Sequence, residues 1–420
     1  MILGHTIALE PTAEQAAHFR RACGTARFAF NWGLAEWQAI FKAGGKPSMG
    51  AVKRRWNEFR RATCPWSYEV TKCASNQAII DLGKAFNNFF QDVKKPKKQR
   101  HFRYPRFKKK AINESFGLWN DQFSIDGCTV RIAKLGVVKM HEPLRLQGEI
   151  MTGSVSFSGG RWFLSVQVEG DFSRAPAPAG TVCGIDLGSR TLATIAPSDD
   201  PADVEPVEGS KARRKLLGRV KRQQRRISLQ KHRAKKAGQK KSSRRQYKRQ
   251  LRLSKLHARI ANIRKDAAHK LTNDVTRRFE TVVIEDLNVS GMVKNHNLAG
   301  AVLDAGFHEV KRQLLYKSAL RGGRIVLADR FYPSTQICSC RGSVCGPKGR
   351  EQMNVEAWTC VDCGAKHSRD GNAAINLRKL GLAKSEVTRG DMTPLCDGAS
   401  LRESIVVEPR TDNVITLEHV

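Results

Sequence analysis

Two short apolar segments, each resembling a strand that ends in an acid, constrain the fold most strongly. In "VCGIDLGSRTLATIA" (182–196), the first segment is "VCGID", and it ends in Asp186, the single acid of the stretch. In "TVVIEDLNVSG" (281–291), Glu285 and Asp286 directly follow three branched apolar residues. Such runs predict strands buried in a sheet, where an unpaired carboxylate costs free energy. The sequence therefore predicts an α/β domain in which strand ends bring acids together.

A third acid, Asp370, lies in "HSRDGNAAINL" (367–377), where it precedes a predicted short helix. Each acid has an ordinary explanation, since Asp186 can cap the Gly188 turn, Glu285 can face solvent and Asp370 can be a helix N-cap. Together they suggest one site, because convergent carboxylates repel unless a divalent cation holds them ionised. Mg²⁺ prefers oxygen ligands, and paired Mg²⁺ ions activate water and stabilise the leaving oxygen in phosphodiester cleavage. We therefore expect a catalytic Mg²⁺ site formed by Asp186, Glu285 and Asp370.

The charge of the chain indicates its partner. The 420 residues, enough for two to four domains, contain 74 Lys+Arg against 39 Asp+Glu, which gives a formal net charge of +35. Nucleic acid is the commonest polyanion that neutralises such a charge. A membrane is disfavoured because no apolar run approaches 18 residues. The start, "MILGHTIALEPT", has no features of a signal peptide, so we expect a reducing cytoplasm and free thiols.

A long basic region contains no acid between Glu208 and Asp266. Solvated helices are the ordinary interpretation, but helices without acids to form i to i+4 pairs repel themselves unless phosphates lie against them. We therefore predict a helical hairpin with one end on nucleic acid, through Arg222, Arg225, Arg226, Arg244 and Arg245. The other end carries a regular apolar stripe that predicts packing on a core: Leu256, Ile260, Ile263, Ala267, Leu271, Val275 and Phe279.

A second basic segment, "KKPKKQRHFRYPRFKKK" (94–110), mixes cations with aromatic residues. It is either a solvated linker or a nucleic-acid contact, and we favour the contact because aromatic rings stack on bases. Its predicted contact residues are Arg103, Tyr104, Arg106, Phe107 and Lys108. Before it, a capping box at Thr12 and Gln15 and apolar spacing predict helices over 13–41 and 75–93. After it, alternation over 116–172 predicts a small β-barrel or sheet with two hairpins.

Cysteines near the C-terminal end of the chain predict a zinc site. Cys360 and Cys363 have the spacing at which two thiolates occupy adjacent corners of a tetrahedron. The upstream half, "ICSCRGSVC", is irregular, since Arg341 stands where a regular CxxC partner would be. Cys338 and either Cys340 or Cys345 complete a four-thiolate set, and His367 is a weaker candidate. Between the acids and the cysteines, we predict one helix over 301–320, ended by Gly322 and Gly323, and a strand at "RIVLA".

The motifs "GIDLGSRTLATIA", "VVIEDLNVSGM", "FYPSTQICS", "WTCVDCG" and "SRDGNAAINL" occur in the order found in TnpB/OrfB proteins. The chain resembles this family of insertion-sequence-encoded, RNA-guided DNA nucleases, which are related to miniature type V CRISPR effectors. The resemblance implies an α/β multidomain fold, with an RNase H-like RuvC nuclease domain split by a basic helical insertion and a zinc ribbon. A wedge-type β-barrel with a helical recognition insertion would precede it. The family's three acids fall on Asp186, Glu285 and Asp370, and Arg369 is a candidate phosphate contact.

The implied domain boundaries follow the motifs. The barrel would comprise 1–10 and 105–178, around a helical insertion at 11–104. The nuclease domain would comprise 179–335, including the basic helical region 211–280, and 367–384. The zinc ribbon would lie at 336–366, and a disordered tail at 385–420.

The resemblance also implies a partner and an activity. A guide RNA encoded beside the gene would direct one protein copy to double-stranded target DNA next to a short flanking motif. Two other functions remain open at this stage. One is a guide-independent transposase or resolvase, and the other is an RNA-guided regulator that binds DNA without cutting it.

Overall fold

The computed structural model describes residues 1–238, 243–348, 352 and 355–390. These residues form two compact units. The first unit contains Met1–Asp171 and Gln223–Lys255, and the second contains Phe172–Arg222 and 256–390. The chain therefore divides into more than one compact unit, as expected of a multidomain protein. The basic region is divided between the two units, whereas the sequence prediction kept it within the nuclease domain.

The first unit is built on a sheet of seven strands. They are β1 (Ile2–Glu10), β2 (Glu114–Trp119), β3 (Phe123–Asp126), β4 (Thr129–Ile132), β5 (Gly136–Met140), β6 (Glu149–Ser158) and β7 (Arg161–Glu169). Every neighbouring pair is antiparallel, in the order β2-β6-β7-β1-β5-β4-β3. The predicted hairpins β3/β4 and β6/β7 are confirmed.

Three helices are inserted between β1 and β2, namely α1 (Ala13–Lys42), α2 (Met49–Thr63) and α3 (Lys72–Val93). The capping box at Thr12 and Gln15 is present and starts α1. The predicted helices correspond to α1 and α3, whereas α2 was not predicted. The helices share an apolar core that includes Leu34, Trp37, Val52, Trp56, Ile79, Leu82 and Phe86.

The second unit contains a five-stranded sheet. Its strands are β8 (Val182–Asp186), β9 (Thr191–Ala196), β10 (Glu205–Glu208), β11 (Thr281–Glu285) and β12 (Arg324–Ala328). Their order is β10-β9-β8-β11-β12. Strands β8, β11 and β12 run parallel, whereas β9 is antiparallel to both of its neighbours.

Six further α-helices and a short hairpin lie in the described residues. They are α4 (Ala212–Lys236), α5 (Arg244–Arg278), α6 (Val289–Met292), α7 (His296–Ala305), α8 (Phe307–Leu320), β13 (Ala357–Thr359), β14 (Lys366–Ser368) and α9 (Arg369–Gly390). Helices α4 and α5 are the two basic helices. Within the described ranges, no helix is long and apolar enough to cross a membrane.

The five-stranded sheet has helices on both faces. Leu271 and Val275 of α5 and Leu314 of α8 pack with Ile185 and Ile284 in one core cluster. The apolar stripe of α5 is thus largely confirmed, although Ile263 is 36% exposed. Helix α9 packs against the sheet, where Leu377 meets Val182 and Val283.

Helix α9 approaches β8 so closely that Gly184 is required there. A Cβ atom on Gly184 would lie 2.0 Å from the Ala374 carbonyl oxygen, a distance that real contacts do not reach. Since the obstructing atom belongs to the backbone of α9, no side-chain movement relieves the clash. This glycine therefore fixes how near α9 comes to the strand that ends in Asp186.

Three predictions about elements need correction. The single helix predicted over 301–320 is two helices, because Gly306 has a left-handed backbone (φ 72°) and ends α7. Helix α9 is 22 residues long, and Asp370 lies in its first turn instead of preceding a short helix. The helix also extends six residues into the predicted tail. The remainder of that tail, 391–420, lies outside the described residues.

Candidate active site and cysteine cluster

Asp186 and Glu285 lie at adjacent strand ends. Asp186 is the last residue of β8, and Glu285 is the last residue of β11. The two strands run parallel with Ile185 opposite Ile284, so the two acids follow side by side at the same sheet edge. Asp370 reaches this edge from α9. Its Oδ2 atom is 4.0 Å from the position that a Cβ atom on Gly188 would occupy. The structure thus brings the three predicted acids together.

The surroundings of Asp186 are unfavourable for its charge. Burial raises the pKa of this carboxyl well above its usual range, and the charges of Glu285 and Asp370 raise the pKa further. Arg369 opposes the shift from the first turn of α9. The three acids are not among the groups of described residues whose ligand atoms all lie within 4.8 Å. Such spacing is expected of carboxylates that repel one another.

The neighbouring Asp286 has its charge compensated. Its two oxygens contact Lys311 Nζ at 2.7 Å and Arg330 Nη2 at 3.1 Å. The hydrogen bond from Lys311 lowers the pKa of Asp286, and Arg330 contributes in the same direction. The Asp286 carboxylate is therefore paired with cations of the protein itself.

Ser334 positions Glu285, and sequence reasoning missed it. The buried Ser334 hydroxyl donates a hydrogen bond to Glu285 Oε1 at 2.6 Å. A hydroxyl donor fixes one carboxylate oxygen and stabilises its charge. Ser334 belongs to the loop that leads from β12 to the cysteines, so this loop contacts the acid site directly.

Two asparagines of α9 hold the same loop. Asn372 and Asn376 are one helical turn apart and nearly fully buried. Their amides each donate to the Ile337 carbonyl at 2.7 Å, and the Asn376 amide also donates to the Ser334 carbonyl at 2.8 Å. The sequence signal was available in "NAAIN", where two amides at i and i+4 share one face of an apolar helix.

Four cysteine sulfurs cluster beside this loop. Cys338, Cys360 and Cys363 form a group whose sulfurs all lie within 4.8 Å. The Cys338 sulfur is 3.6 Å from that of Cys363, and the Cys345 sulfur is 3.3 Å from that of Cys360. The close sulfur pairs therefore involve Cys345 and not Cys340 from the irregular upstream half.

The thiols of this cluster differ in acidity. Burial opposes ionisation of Cys360, but hydrogen bonds from Cys345 and from the backbone amides of Asp362 and Cys363 lower its pKa to about 6. A thiolate is the form that binds metals, so Cys360 is prepared as a ligand near neutral pH.

Cys340 and His367 lie at the margin of the cluster. Cys340 is exposed, and it groups with Cys338 and His367 rather than with the CxxC pair. The His367 Nε2 atom lies 3.2 Å from the Cys338 sulfur, and the His367 ring centroid is 4.7 Å from that of Trp358, with the two rings tilted by 40°. In this position His367 can donate a hydrogen bond to a Cys338 thiolate without binding a metal itself.

The segment 94–110 is held in a defined conformation. Asp92, which is 1% exposed, accepts hydrogen bonds from the backbone amides of His101 and Phe102 and contacts Lys95 Nζ at 2.8 Å. The Asn31 side chain pairs with both backbone polar groups of Lys108. Among the predicted contact residues, Tyr104 is 41% exposed and Phe107 is 50% exposed, and both arginines are also exposed. The Lys108 ammonium instead lies over the Phe30 ring at 4.0 Å.

The predicted contact residues of the basic helices are exposed. They are Arg222, Arg225 and Arg226 on α4 and Arg244 and Arg245 on α5. No salt bridge joins any of these five side chains to an acid of the described residues. Their charges are therefore available to phosphates.

Several protein families and relatives are similar to this chain. The family OrfB_IS605, described as "Probable transposase", matches residues 164–296. A "Cas12f1-like, TNB domain" matches residues 307–377, and the "Helix-turn-helix domain" HTH_OrfB_IS605 matches residues 1–46.

A relative from Streptomyces pristinaespiralis, named "Putative RNA-guided DNA endonuclease", is 32% identical over 95% of this chain and 94% of its own length. A second, "Putative RNA-guided DNA endonuclease InsQ" of Escherichia coli K12, is 30% identical over 89% of this chain and 91% of its own length. The solved structure of a Cas12f1-sgRNA-target DNA complex has a similar fold, with a TM-score of 0.50 and 14% identity over 87% of this chain and 83% of the other. The similarity to these relatives extends over nearly the whole chain, which therefore belongs to the TnpB/OrfB family.

Proposed function

We propose that this chain is an RNA-guided DNA endonuclease that cuts double-stranded DNA beside a short flanking motif. The observation that carries the proposal is the convergence of Asp186, Glu285 and Asp370 at one sheet edge, with the pKa of Asp186 raised by burial and by the other two acids. The names of the relatives support the guided class of nuclease. The strand order, with β9 antiparallel beside three parallel strands, supports an RNase H-like RuvC domain.

The three carboxylates would hold Mg²⁺, because they offer only hard oxygen ligands and lack enough cations of their own. When bound, the metal supplies an activated water and stabilises charge on the cleaved phosphodiester. The protein's part is to keep Glu285 oriented through Ser334, and Asp370 in place through α9. Arg369, whose charge already reaches Asp186, would contact the phosphate.

The cysteine cluster would hold Zn²⁺ through Cys338, Cys345, Cys360 and Cys363. This set contains the sulfur pairs at 3.6 Å and 3.3 Å and leaves Cys340 as a surplus exposed thiol. Zinc content measured by mass spectrometry distinguishes the upstream candidates. We expect one zinc per chain in wild type and in Cys340→Ser, and much less in Cys345→Ser. The reverse result would make Cys340 the fourth ligand.

The remaining parts would bind nucleic acid. The seven-stranded sheet would be the wedge-type barrel, and α1 to α3 its helical recognition insertion. The segment 94–110 and the basic helices α4 and α5 would lie along guide RNA and the heteroduplex, with one protein copy per RNA. Exposed aromatic rings in 94–110 support this assignment, as do the five exposed arginines of α4 and α5, which no salt bridge joins to an acid of the described residues.

The proposal is tested by expressing the protein with its native flanking DNA and sequencing the RNA that stays bound through a high-salt wash. One discrete RNA with a defined end is expected. A target library with randomised flanks, matched to that guide, is then cut in Mg²⁺ by wild type and not by Asp186→Ala, nor in EDTA.

Other outcomes would favour the alternative functions. Retention of a heterogeneous RNA mixture would favour a guide-independent transposase-like enzyme. Guided binding without cutting would favour a regulator. Cutting by Asp186→Ala at the wild-type rate would remove the acids from the mechanism.

A further inference from the structure

Phe331 is an aromatic side chain left in solvent beside the acid site. It is 86% exposed, the highest value among the large apolar side chains of the described residues. It lies in the loop that follows β12, three residues before Ser334, whose hydroxyl contacts Glu285. Three residues span at most about 10 Å, so the Phe331 backbone lies within that distance of Ser334.

The backbone on both sides of Phe331 is held firmly. The Phe331 amide donates to Asp329 Oδ1 at 2.8 Å, and the Tyr332 amide donates to the Asp329 carbonyl at 3.0 Å. The Tyr332 hydroxyl reaches the Asn376 carbonyl on α9 at 3.4 Å. Exposure of the Phe331 ring is therefore a feature of an ordered loop.

Phe331 directly follows a cation, Arg330. Arg330 and Lys311 both contact the carboxylate of Asp286, so two cations lie here beside the acids Asp286 and Asp329. An aromatic ring beside cations is the combination with which proteins bind unpaired bases, since the ring stacks on a base and the cations contact phosphates. A base inside a duplex cannot present its face to such a ring.

We infer that Phe331 stacks on an unpaired nucleobase of the DNA strand being cut, and so holds the scissile phosphodiester against the acids. With about 3.4 Å per nucleotide along a stacked strand, the base lies one to three nucleotides from the cut. This inference rests on the proposed nuclease function. It adds a residue that selects single-stranded substrate at the acid site.

The first test detects stacking without cutting. The protein carrying Asp186→Ala, purified with its RNA, binds a guide-matched target with 2-aminopurine placed singly at successive positions of each DNA strand. Fluorescence is expected to be quenched at one position. The quenching is lost when Phe331→Ala is added, and retained with Phe331→Tyr.

The second test measures cutting under single-turnover conditions. Phe331→Ala, which removes only an exposed side chain and leaves the melting temperature unchanged, is expected to cut about tenfold more slowly, as for loss of one base stack. Phe331→Tyr restores the rate. Leu303→Ala, which removes an exposed apolar side chain from α7, is the control and cuts at the wild-type rate.

Equal quenching and equal cutting by Phe331→Ala would overturn the inference. If the wild-type complex does not cut at all in Mg²⁺, the proposed nuclease function fails instead, and the fluorescence test still decides whether Phe331 stacks.

Discussion

Asp186 and Asp286 lie at neighbouring strand ends, yet their carboxylates meet opposite surroundings. Asp286 has two cations within 3.1 Å, whereas Asp186 lies near two further acids. Of the side-chain charges that shift the pKa of Asp186, only that of Arg369 lowers it. A carboxylate with raised pKa destabilises the folded chain when it is ionised. The repulsion among the three acids therefore lowers the stability of the folded chain until an added cation compensates their charge. Single substitutions distinguish this effect on stability from the effect on cutting.

Asp186→Asn is expected to abolish Mg²⁺-dependent cutting, by about a thousandfold or more. In EDTA, the same change removes one of three repelling charges and raises the melting temperature by about 2–4 °C, the shift for about 1 kcal/mol. The matched control, Asp286→Asn, breaks two ion pairs and is expected to lower the melting temperature. A lower melting temperature of Asp186→Asn in EDTA would contradict the repulsion argument.

Ser334→Ala is expected to weaken binding of Mn²⁺, used as a spectroscopic substitute for Mg²⁺. The change removes a hydrogen bond to a charged oxygen, so affinity measured by electron paramagnetic resonance should fall about tenfold. Ser334→Thr keeps a hydroxyl and should restore most of the affinity. If both variants bind Mn²⁺ like wild type, Ser334 only fills space.

Among the elements, the segment 94–110 depends on one carboxylate at the end of α3. Asp92 lies in the last turn of α3 and receives two backbone amides and Lys95. The hydrogen bond from Lys95 and those from the amides lower the pKa of Asp92 to about 2. Asp92 thus holds the start of the segment, and Asn31 holds its end at Lys108, so that the exposed rings lie on an ordered surface.

Asp92→Asn should therefore destabilise the first unit in a pH-dependent way. A carboxyl with a pKa of about 2 in the folded chain and about 3.9 when unfolded contributes stability above pH 4, and this contribution is lost as the pH falls towards 2. The difference in melting temperature between wild type and Asp92→Asn should be largest at pH 5–6 and decrease towards pH 3. A difference that stays constant with pH would show that the Asp92 charge is unimportant.

At the scale of the whole molecule, the net charge of +35 is concentrated in surfaces that lack acids. The five exposed arginines of α4 and α5 have no salt-bridge partner among the described residues. Phosphates that bind such surfaces release counterions, so affinity depends on salt.

The affinity for the co-purified RNA should accordingly fall about a thousandfold or more between 50 and 200 mM salt, as for six to ten phosphate contacts. Filter binding across this range measures the slope. Replacing Arg225 and Arg226 by Glu should reduce the slope while the melting temperature is maintained. A flat salt dependence would contradict the electrostatic assignment.

The sequence predicted those features that depend on local patterns. The capping box at Thr12, the two hairpins and the strands ending in Asp186 and Glu285 are encoded within a few residues. The contact between Ser334 and Glu285 joins residues 49 positions apart, so no local pattern reveals it. The helix break at Gly306 was missed because a single glycine inside a helical pattern is often tolerated.

The packing of α9 on β8 at Gly184 also has a consequence for synthesis, because the three acids can meet only after α9 has been made. Domains fold as units while the chain is made from its N-terminus. The strands that end in Asp186 and Glu285 leave the ribosome long before α9, which supplies both Asp370 and one helical face of the sheet. A nascent chain can thus expose its basic helices while it still lacks Asp370. In the proposed nuclease, cutting would therefore require α9 to pack, and the guide would be bound before any DNA is cut.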